Sequence, residues 1–218
     1  MSTKLTQTQI LASFLDQPVF PNPINHPKFY STFLGEETRQ SEDEAQIDTS
    51  FFIQGSYQSG KTHYAILFLR DWILNKFPNG FENTKHHDMP VFVQMPFLER
   101  LVKKINFTSY GDYDSKKILE KFKVSDLLII DDLTLDDLYS SSKKQVKTDM
   151  VTTLFDIFDY RYANNLQTVL TTNIDLDTIS DTVPYFNEIT SKLFDLQVKL
   201  TKTDLVEEHI KPKTLEIL

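Results

Sequence analysis

The chain has 218 residues, of which 40% are hydrophobic and 12% aromatic, which is enough apolar material for one domain with its own core. Its formal net charge of −8 argues against a general polyanion-binding surface but leaves room for a local basic patch. Cysteine is absent, which excludes disulfides, cysteine nucleophiles and cysteine-type zinc sites, and without an apolar run suited to a membrane span or a signal peptide we expect a cytoplasmic protein.

Residues 1–48 are predicted to form a short helical and extended segment outside the main domain. Apolar side chains recur at helical spacing from Ile10 to Leu15, and a second short helix is predicted from Lys28 to Leu34. The prolines between these two helices favour an extended chain. The acidic stretch that follows is typical of a surface loop. We therefore place the boundary near Asp48, with residues 49–218 as the main domain.

An apolar run from Phe51 to Ile53 leads directly into the pattern G-x-x-x-x-G-K-T. The two glycines let the backbone approach a phosphate closely, the lysine supplies a cation, and the threonine hydroxyl can ligate Mg²⁺. The following helix directs its positive dipole end at the phosphates. The alternative is a glycine-rich turn, which the predicted strand before and helix after the motif disfavour. The predicted nucleotide-binding residues are Gly55, Ser56, Tyr57, Gln58, Ser59, Gly60, Lys61, Thr62 and His63.

Strands and helices alternate along the main domain. Strands are predicted over residues 51–54, 90–94, 127–130, 167–171 and 194–200. Helices are predicted over residues 61–76, 97–105, 115–122, 142–160 and 203–210. This alternation predicts a three-layer α/β domain with a mainly parallel sheet and right-handed crossovers.

A buried apolar strand ends in Asp131-Asp132. Carboxylates at the carboxyl end of such a strand lie where ligands bind in open α/β sheets. We interpret Asp131 as the residue that, with Thr62, holds Mg²⁺ or its water. Asp132 is then the residue that orients and deprotonates the attacking water. The alternative is the start of an acidic turn, since two more aspartates follow closely.

Asn173 follows a strand rich in β-branched residues. An asparagine in that position is typical of a turn. If its strand lies between the P-loop strand and the strand of Asp131, however, Asn173 points toward the γ-phosphate and can position the water.

The order of these motifs resembles AAA+ ATPases, and within them the DnaC/DnaI-type helicase loaders and the IstB-type transposition helper ATPases. Besides the P-loop, the resemblance rests on Asp131-Asp132, on Phe-Asp-Tyr-Arg-Tyr at residues 158–162 and on Thr171-Thr172-Asn173. It implies a P-loop domain with strand order 5-1-4-3-2, and we expect no sizeable C-terminal lid domain. It also implies ATP and Mg²⁺ as cofactors, homo-oligomers with a composite ATP site, and single-stranded DNA and a hexameric replicative helicase as partners.

The chain departs from the family pattern in three places. Gln58 stands where the family usually has a glycine. The N-terminal segment is shorter than the helicase-binding domains of larger loaders, so a helicase contact would use the helix from Ile10 to Leu15 or another surface. Lys192 stands where the family has its arginine finger, with Arg161 as the next candidate. Because lysine lacks the planar fork of arginine, we expect an ATPase that is slow alone.

Local support for DNA binding comes from the segment between Glu99 and Asp126, which has seven basic and five acidic residues. Lysines could follow phosphates while aromatic faces stack on bases. The alternative, lysines on the solvated faces of amphipathic helices, stays open. The predicted DNA-contacting residues are Lys103, Lys104, Phe107 and Tyr110.

Together these features predict an ATP-binding and ATP-hydrolysing replication protein that loads or regulates a replicative helicase. One alternative is an IstB-like transposition helper. Another is a weakly catalytic, nucleotide-binding regulator of a host replication factor. A small-molecule kinase is disfavoured, because the four arginines of the chain do not form an arginine-rich lid.

Overall fold

A computed structural model describes residues 5–15, 29–35, 50–81, 89–107, 112–140, 142–174, 183 and 196–200. The strands are β1 (Phe51–Gly55), β2 (Val91–Gln94), β3 (Leu127–Leu133), β4 (Tyr139–Ser140), β5 (Gln145–Val146), β6 (Gln167–Thr172) and β7 (Leu196–Leu200). The helices are α1 (Gln7–Leu15), α2 (Phe29–Leu34), α3 (Lys61–Lys76), α4 (Met95–Phe107), α5 (Tyr113–Val124), α6 (Leu135–Leu138) and α7 (Thr148–Ala163).

A parallel five-stranded sheet in the order β2-β3-β6-β1-β7 forms the centre of the domain. When only the five strands of this sheet are numbered in chain order and the sheet is read from the β7 edge, the order is 5-1-4-3-2. The predicted strand order is therefore confirmed. Successive side chains of a strand point to opposite faces, and the core divides accordingly. Phe52, Ile130 and Leu170 pack under α4, α5 and α7, whereas Ile53 and Ile129 pack under α3 on the other face. The predicted three-layer architecture is therefore confirmed.

The N-terminal helices α1 and α2 pack on the α3 side of the sheet. Ile10, Leu11 and Phe14 of α1 and Phe33 of α2 are all at most 3% exposed and belong to the same hydrophobic cluster as α3. The apolar face of α1 is therefore occupied by the domain itself, so a helicase contact through this helix would have to use its exposed face. The predicted boundary near Asp48, the terminal helix over residues 203–210 and the region of a possible lid lie outside the described residues.

The segment between β3 and α7 differs from the prediction of a helix beginning at residue 142. The polar stretch instead forms the antiparallel hairpin β4–β5, with Lys144 in the left-handed region at φ 50°. The backbone N–H of Lys147 donates to the carbonyl of Leu138 at 2.7 Å, which closes the base of the hairpin. Helix α7 consequently begins only at Thr148. The short helix α6 before the hairpin is capped by Thr134 and Asp137, whose side chains satisfy each other's backbone N–H groups.

Arg161, at the last turn of α7, lies fully inside the protein with 0% exposure. Its Nε donates to Thr168 Oγ1 at 2.8 Å, and Nη1 donates to the carbonyls of Phe122 at 2.9 Å and Ser125 at 2.7 Å. Its Nη2 donates to the carbonyl of Gln167. Burial lowers the pKa of this guanidinium to about 9. The side chain thus joins α7, the end of α5 and the start of β6.

The prediction that Arg161 is an alternative arginine finger is therefore wrong. The residue binds the amino-terminal end of β6, at the sheet edge opposite the P-loop. Its N–H groups donate hydrogen bonds to internal carbonyl and hydroxyl oxygens. A finger must reach the protein surface to meet the γ-phosphate of a neighbouring copy, and Arg161 is fully buried, so it serves the fold.

Arg161→Leu should lower the free energy of unfolding by about 3 kcal/mol or more, because several buried carbonyls lose their donor and each costs about 1–3 kcal/mol. Arg100→Leu is the matched control, since Arg100 is exposed and only stacks near the Phe97 ring. Its cost should stay below about 1 kcal/mol. Urea unfolding of both variants measures the difference. Equal losses would show that the buried contacts of Arg161 do not stabilise the domain.

Candidate nucleotide-binding site

The site lies where the carboxyl ends of three neighbouring strands meet. Strand β6 pairs with β1 on one side and with β3 on the other, all in parallel. The condition set for Asn173 is met, because its strand lies between the P-loop strand and the strand of Asp131. Asn173 itself is exposed immediately beyond the end of β6.

The loop between β1 and α3 has a backbone that few residue types tolerate. Gly60 adopts φ 87° at the amino-terminal cap of α3, a conformation that glycine reaches without a steric penalty. Gln58 also lies in the left-handed region, at φ 63°. For a residue with a Cβ atom this conformation costs about 1–2 kcal/mol. The position where the family usually has glycine thus keeps the glycine conformation while carrying a glutamine.

Lys61 is held inside this loop, with 7% of its surface exposed. Its Nζ donates to the carbonyls of Gly55 at 3.0 Å and Ser56 at 2.9 Å. Burial lowers the pKa of the ammonium, and the nearby charges of Asp132 and Asp131 partly offset that effect. The cation therefore sits within the concave turn of the loop, bound to main-chain oxygens of the loop.

Asp131 is 1% exposed and receives hydroxyl protons from two threonines. Thr62 Oγ1 lies 3.1 Å from both carboxylate oxygens, and Thr171 Oγ1 donates to Oδ1 at 2.7 Å. The hydroxyl and the carboxylate predicted to serve a metal are thus in direct contact. A hard oxygen pair of this kind suits Mg²⁺, which is commonly held by one or two carboxylates with phosphate oxygens and water.

Asp132 differs from Asp131 in its backbone conformation and in the exposure of its side chain. A register shift between Ile130 and Leu133 interrupts the pairing of β3 with β6, and Asp132 adopts φ 66° within this bulge. Its backbone N–H donates to Thr171 Oγ1 at 2.8 Å, while its side chain is exposed. The bulge therefore turns one aspartate inward and the next one outward, toward the ligand side of the sheet edge.

Ser59 contributes a further polar group to the loop. Ser59 is 2% exposed, and its Oγ has no hydrogen-bond partner among the described residues. A buried hydroxyl without a partner is unusual in a folded protein. The loop N–H groups, Lys61 and the Thr62–Asp131 pair are the donor and oxygen sets that a nucleoside triphosphate and Mg²⁺ require, so the residues present fit both groups.

Two other predicted nucleotide-binding residues flank the loop. Tyr57 is 74% exposed at its tip, and His63 lies in the first turn of α3. The Nδ1 of His63 is 3.3 Å from Thr32 Oγ1 of α2, which links the start of α3 to the N-terminal helices. Lys192, predicted as the finger, lies outside the described residues and stays a prediction.

The predicted DNA-contacting residues belong to α4, except Tyr110, which lies outside the described residues. Lys103 pairs with Glu99 at 3.0 Å, and Phe107 is 83% exposed at the end of the helix. Hydrogen bonding to Lys103, with a smaller effect of Lys147, lowers the pKa of the Glu99 carboxyl. Lys104 is exposed on the same helix.

The sequence did not predict a cavity of about 450 Å³ between the end of α4, the β4–β5 hairpin and the start of α7. Its wall includes Asn106 and Phe107 from α4 and Lys143 and Gln145 from the hairpin. The hairpin that builds one wall was itself missed, so no pattern in the sequence could have joined these residues. Within the part of the chain that the structure describes, no helix has the length and apolarity to cross a membrane, and no cluster of three or more His, Asp or Glu side chains could hold a metal.

No protein-family model and no curated protein sequence matches the chain. Among solved structures, it is similar to the DnaC helicase loader, with 19% identity, 80% of this chain and 98% of that chain covered, and a TM-score of 0.54. It is also similar to DnaI, with 20% identity and a TM-score of 0.49; the similarity covers 70% of this chain and 73% of that chain. A third similar structure is the replication initiator DnaA bound to AMPPCP and single-stranded DNA, with 18% identity and a TM-score of 0.49. The similarity covers 80% of this chain and 50% of that chain.

At this level of identity the similarity concerns the fold. It extends over nearly the whole of the DnaC helicase loader and agrees with the observed sheet order and the P-loop between β1 and α3. The chain therefore has the P-loop AAA+ fold that the DnaC helicase loader also has.

Proposed function

We propose that the chain is an ATP-binding and ATP-hydrolysing protein of DNA replication that acts on a replicative helicase. The observation that carries this proposal is the contact of Thr62 with Asp131 beside a buried Lys61, at the carboxyl edge of a parallel sheet. Open α/β sheets bind their ligands at that edge. A purely structural role would not require a cation, a hydroxyl and two carboxylates to converge there.

The loop residues bind the phosphates. Backbone N–H groups between Gly55 and Thr62 donate to phosphate oxygens, and Lys61 exchanges its two loop carbonyls for the β- and γ-phosphates. Thr62 and Asp131 would hold Mg²⁺, which when bound neutralises charge that develops on the phosphates. The exposed Tyr57 is suited to covering the phosphates from the solvent side.

Asp132 and Asn173 act on water. The Asp132 carboxylate is exposed, and its charge is close enough to Lys61 to offset part of the lowering of that lysine's pKa by burial. It can therefore accept a proton close to the phosphate-binding cation. Asn173, at the end of the central strand, can donate or accept a hydrogen bond and so orient the same water. Asp132 is therefore the proposed base, and Asn173 is the group that orients the water.

Turnover by the chain alone should be slow. Arg161 is consumed by internal oxygens, Arg70 is buried in the middle of α3, and Arg100 lies on α4 near the Phe97 ring. None of these described arginines serves the phosphate edge, and Lys192 is a weaker match to a developing phosphate charge than an arginine. The missing cation is supplied by Lys192 of a neighbouring copy or by an arginine of a partner ATPase.

The helicase as a partner is supported by the fold shared with the DnaC helicase loader along nearly all of that chain. Since the apolar face of α1 is buried against the domain, the contact with the helicase uses the exposed face of α1 or another surface.

Single-stranded DNA is supported by the cavity beside α4. Phe107 offers an exposed ring for stacking on a base, and Asn106 next to it offers an amide. Lys103 is engaged with Glu99, whereas Lys143 on the hairpin makes no ion pair with the described residues. A phosphate is therefore best met by Lys143.

Two substitutions separate binding from turnover. Lys61→Ala should abolish tight ATP binding, because the phosphates lose the cation of a site with little water. Asp132→Asn should bind ATP as the wild type does and lose nearly all hydrolysis, because an amide cannot accept the proton of water. Calorimetric titration and phosphate release measure the two steps. Unchanged ATP affinity in Lys61→Ala would remove the basis of the proposed function, and wild-type turnover in Asp132→Asn would place the base elsewhere.

Phe107→Ala should weaken binding of an oligothymidine by about tenfold, since base stacking on an aromatic ring contributes about 1–3 kcal/mol. Tyr160→Ala, which removes an exposed ring from the far end of α7, is the control and should leave affinity unchanged. Lys143→Gln should make the plot of log affinity against log salt concentration less steep, by the amount expected for the loss of about one phosphate contact. Equal affinities for the two aromatic variants in a fluorescence anisotropy titration would refute a DNA contact at α4.

A further inference from the structure

The hydroxyl of Thr171 forms hydrogen bonds to both adjacent aspartates. It is 0% exposed on β6, where its Oγ1 accepts the backbone N–H of Asp132 at 2.8 Å and donates to Asp131 Oδ1 at 2.7 Å. Asp131 Oδ1 also accepts from Thr62 at 3.1 Å. One hydroxyl therefore connects the outward aspartate, the inward aspartate and, through the latter, the first turn of α3.

The direction of these bonds is determined by the chemistry of the groups. A backbone N–H can only donate and an ionised carboxylate can only accept, while a hydroxyl has one proton and two lone pairs. The proton of Thr171 must therefore point to Asp131, since its partner on the other side already donates to it. Reversal of the chain of bonds is impossible without breaking one of them.

The neighbouring Thr172 offers a comparison within the same strand. It is equally buried at 0% exposure, and its hydroxyl also makes two bonds, donating to the carbonyl of Leu133 at 2.7 Å and accepting from the N–H of Ile174 at 3.1 Å. Neither bond involves an aspartate. Thr172 thus supports the same stretch of β3 and β6 without touching the carboxylates.

We propose that Thr171 is a positioning residue that sets the rotation of the Asp131 carboxylate for Mg²⁺ and stabilises the bulge that presents Asp132. This inference rests on the proposed nucleotide site and deepens it. Valine at this position has the same shape but supplies neither a proton for Asp131 Oδ1 nor an acceptor for the Asp132 N–H. The carboxylate then loses one of its two threonine donors and is held less firmly in its orientation, so the gain in nucleotide affinity that Mg²⁺ provides should fall.

The test measures binding of a non-hydrolysable ATP analogue with EDTA and with Mg²⁺. Thr171→Val should retain the affinity in EDTA, because the loop and Lys61 are untouched, and should lose about tenfold or more of the additional affinity in Mg²⁺, a loss common when groups behind a metal ligand are removed. Thr171→Ser keeps the hydroxyl and should restore most of that gain. Thr172→Val should match the wild type in both conditions.

A full Mg²⁺-dependent gain in Thr171→Val would overturn the proposal. So would an equal loss in Thr172→Val, since a general effect of removing a buried strand hydroxyl would then explain the result. Thermal unfolding checks that each variant is folded, and Thr171→Ala, which carries a smaller side chain, replaces the valine variant if that one is not. Failure of the wild type to bind the analogue in either condition would instead refute the proposed nucleotide site, which keeps the two ideas distinguishable.

Discussion

The position of β6 between β1 and β3 is the constraint on which the site depends. Parallel strands place all their carboxyl ends at one edge, so this pairing brings the phosphate loop, the paired aspartates and Asn173 together although they are distant in sequence. Because Thr171 belongs to the middle strand, it can reach a carboxylate on β3 while β1 supplies the loop on its other side.

Within this frame the electrostatics favour an anionic ligand together with a cation. Lys61 is buried, with a pKa lowered by burial, and is retained by two loop carbonyls and by the charges of two aspartates. A buried ammonium is costly unless it is paired, and phosphate oxygens are stronger partners than neutral carbonyls. The inward carboxylate keeps its two hydroxyl donors, and the exposed one stays in water. The two adjacent aspartates therefore have different environments and can take different roles.

Much of this could be predicted from the sequence, because the decisive features are local. The P-loop needs glycines at set positions, a buried parallel strand is a continuous apolar run, and acidic residues directly after it mark the ligand edge. The sheet order came from the family resemblance and is confirmed. The bulge that separates Asp131 from Asp132 could not be predicted, since it depends on a hydroxyl from a strand 40 residues away.

The errors also have physical reasons. An arginine in sequence looks like a surface charge, and only the packing of α7 against α5 and β6 shows that internal oxygens consume the donors of Arg161. The sequence assigned α1 to a segment outside the main domain because its partner was not visible, whereas its apolar face packs in the same cluster as α3. The hairpin β4–β5 replaced the first turns of a predicted helix because its polar residues close through backbone bonds at Leu138 and Lys147. The first two cases concern contacts between residues distant in sequence, whereas the hairpin is closed by a local contact.

Amide hydrogen exchange with and without Mg²⁺ and ATP tests the central claim most directly, because it reports on the backbone without any substitution. If the edge formed by β1, β3 and β6 is the nucleotide site, exchange should slow at residues 55–62 and 131–133 and stay unchanged around Arg161 at the opposite edge. Unchanged exchange at both edges, or slowing confined to the edge around Arg161, would contradict the account.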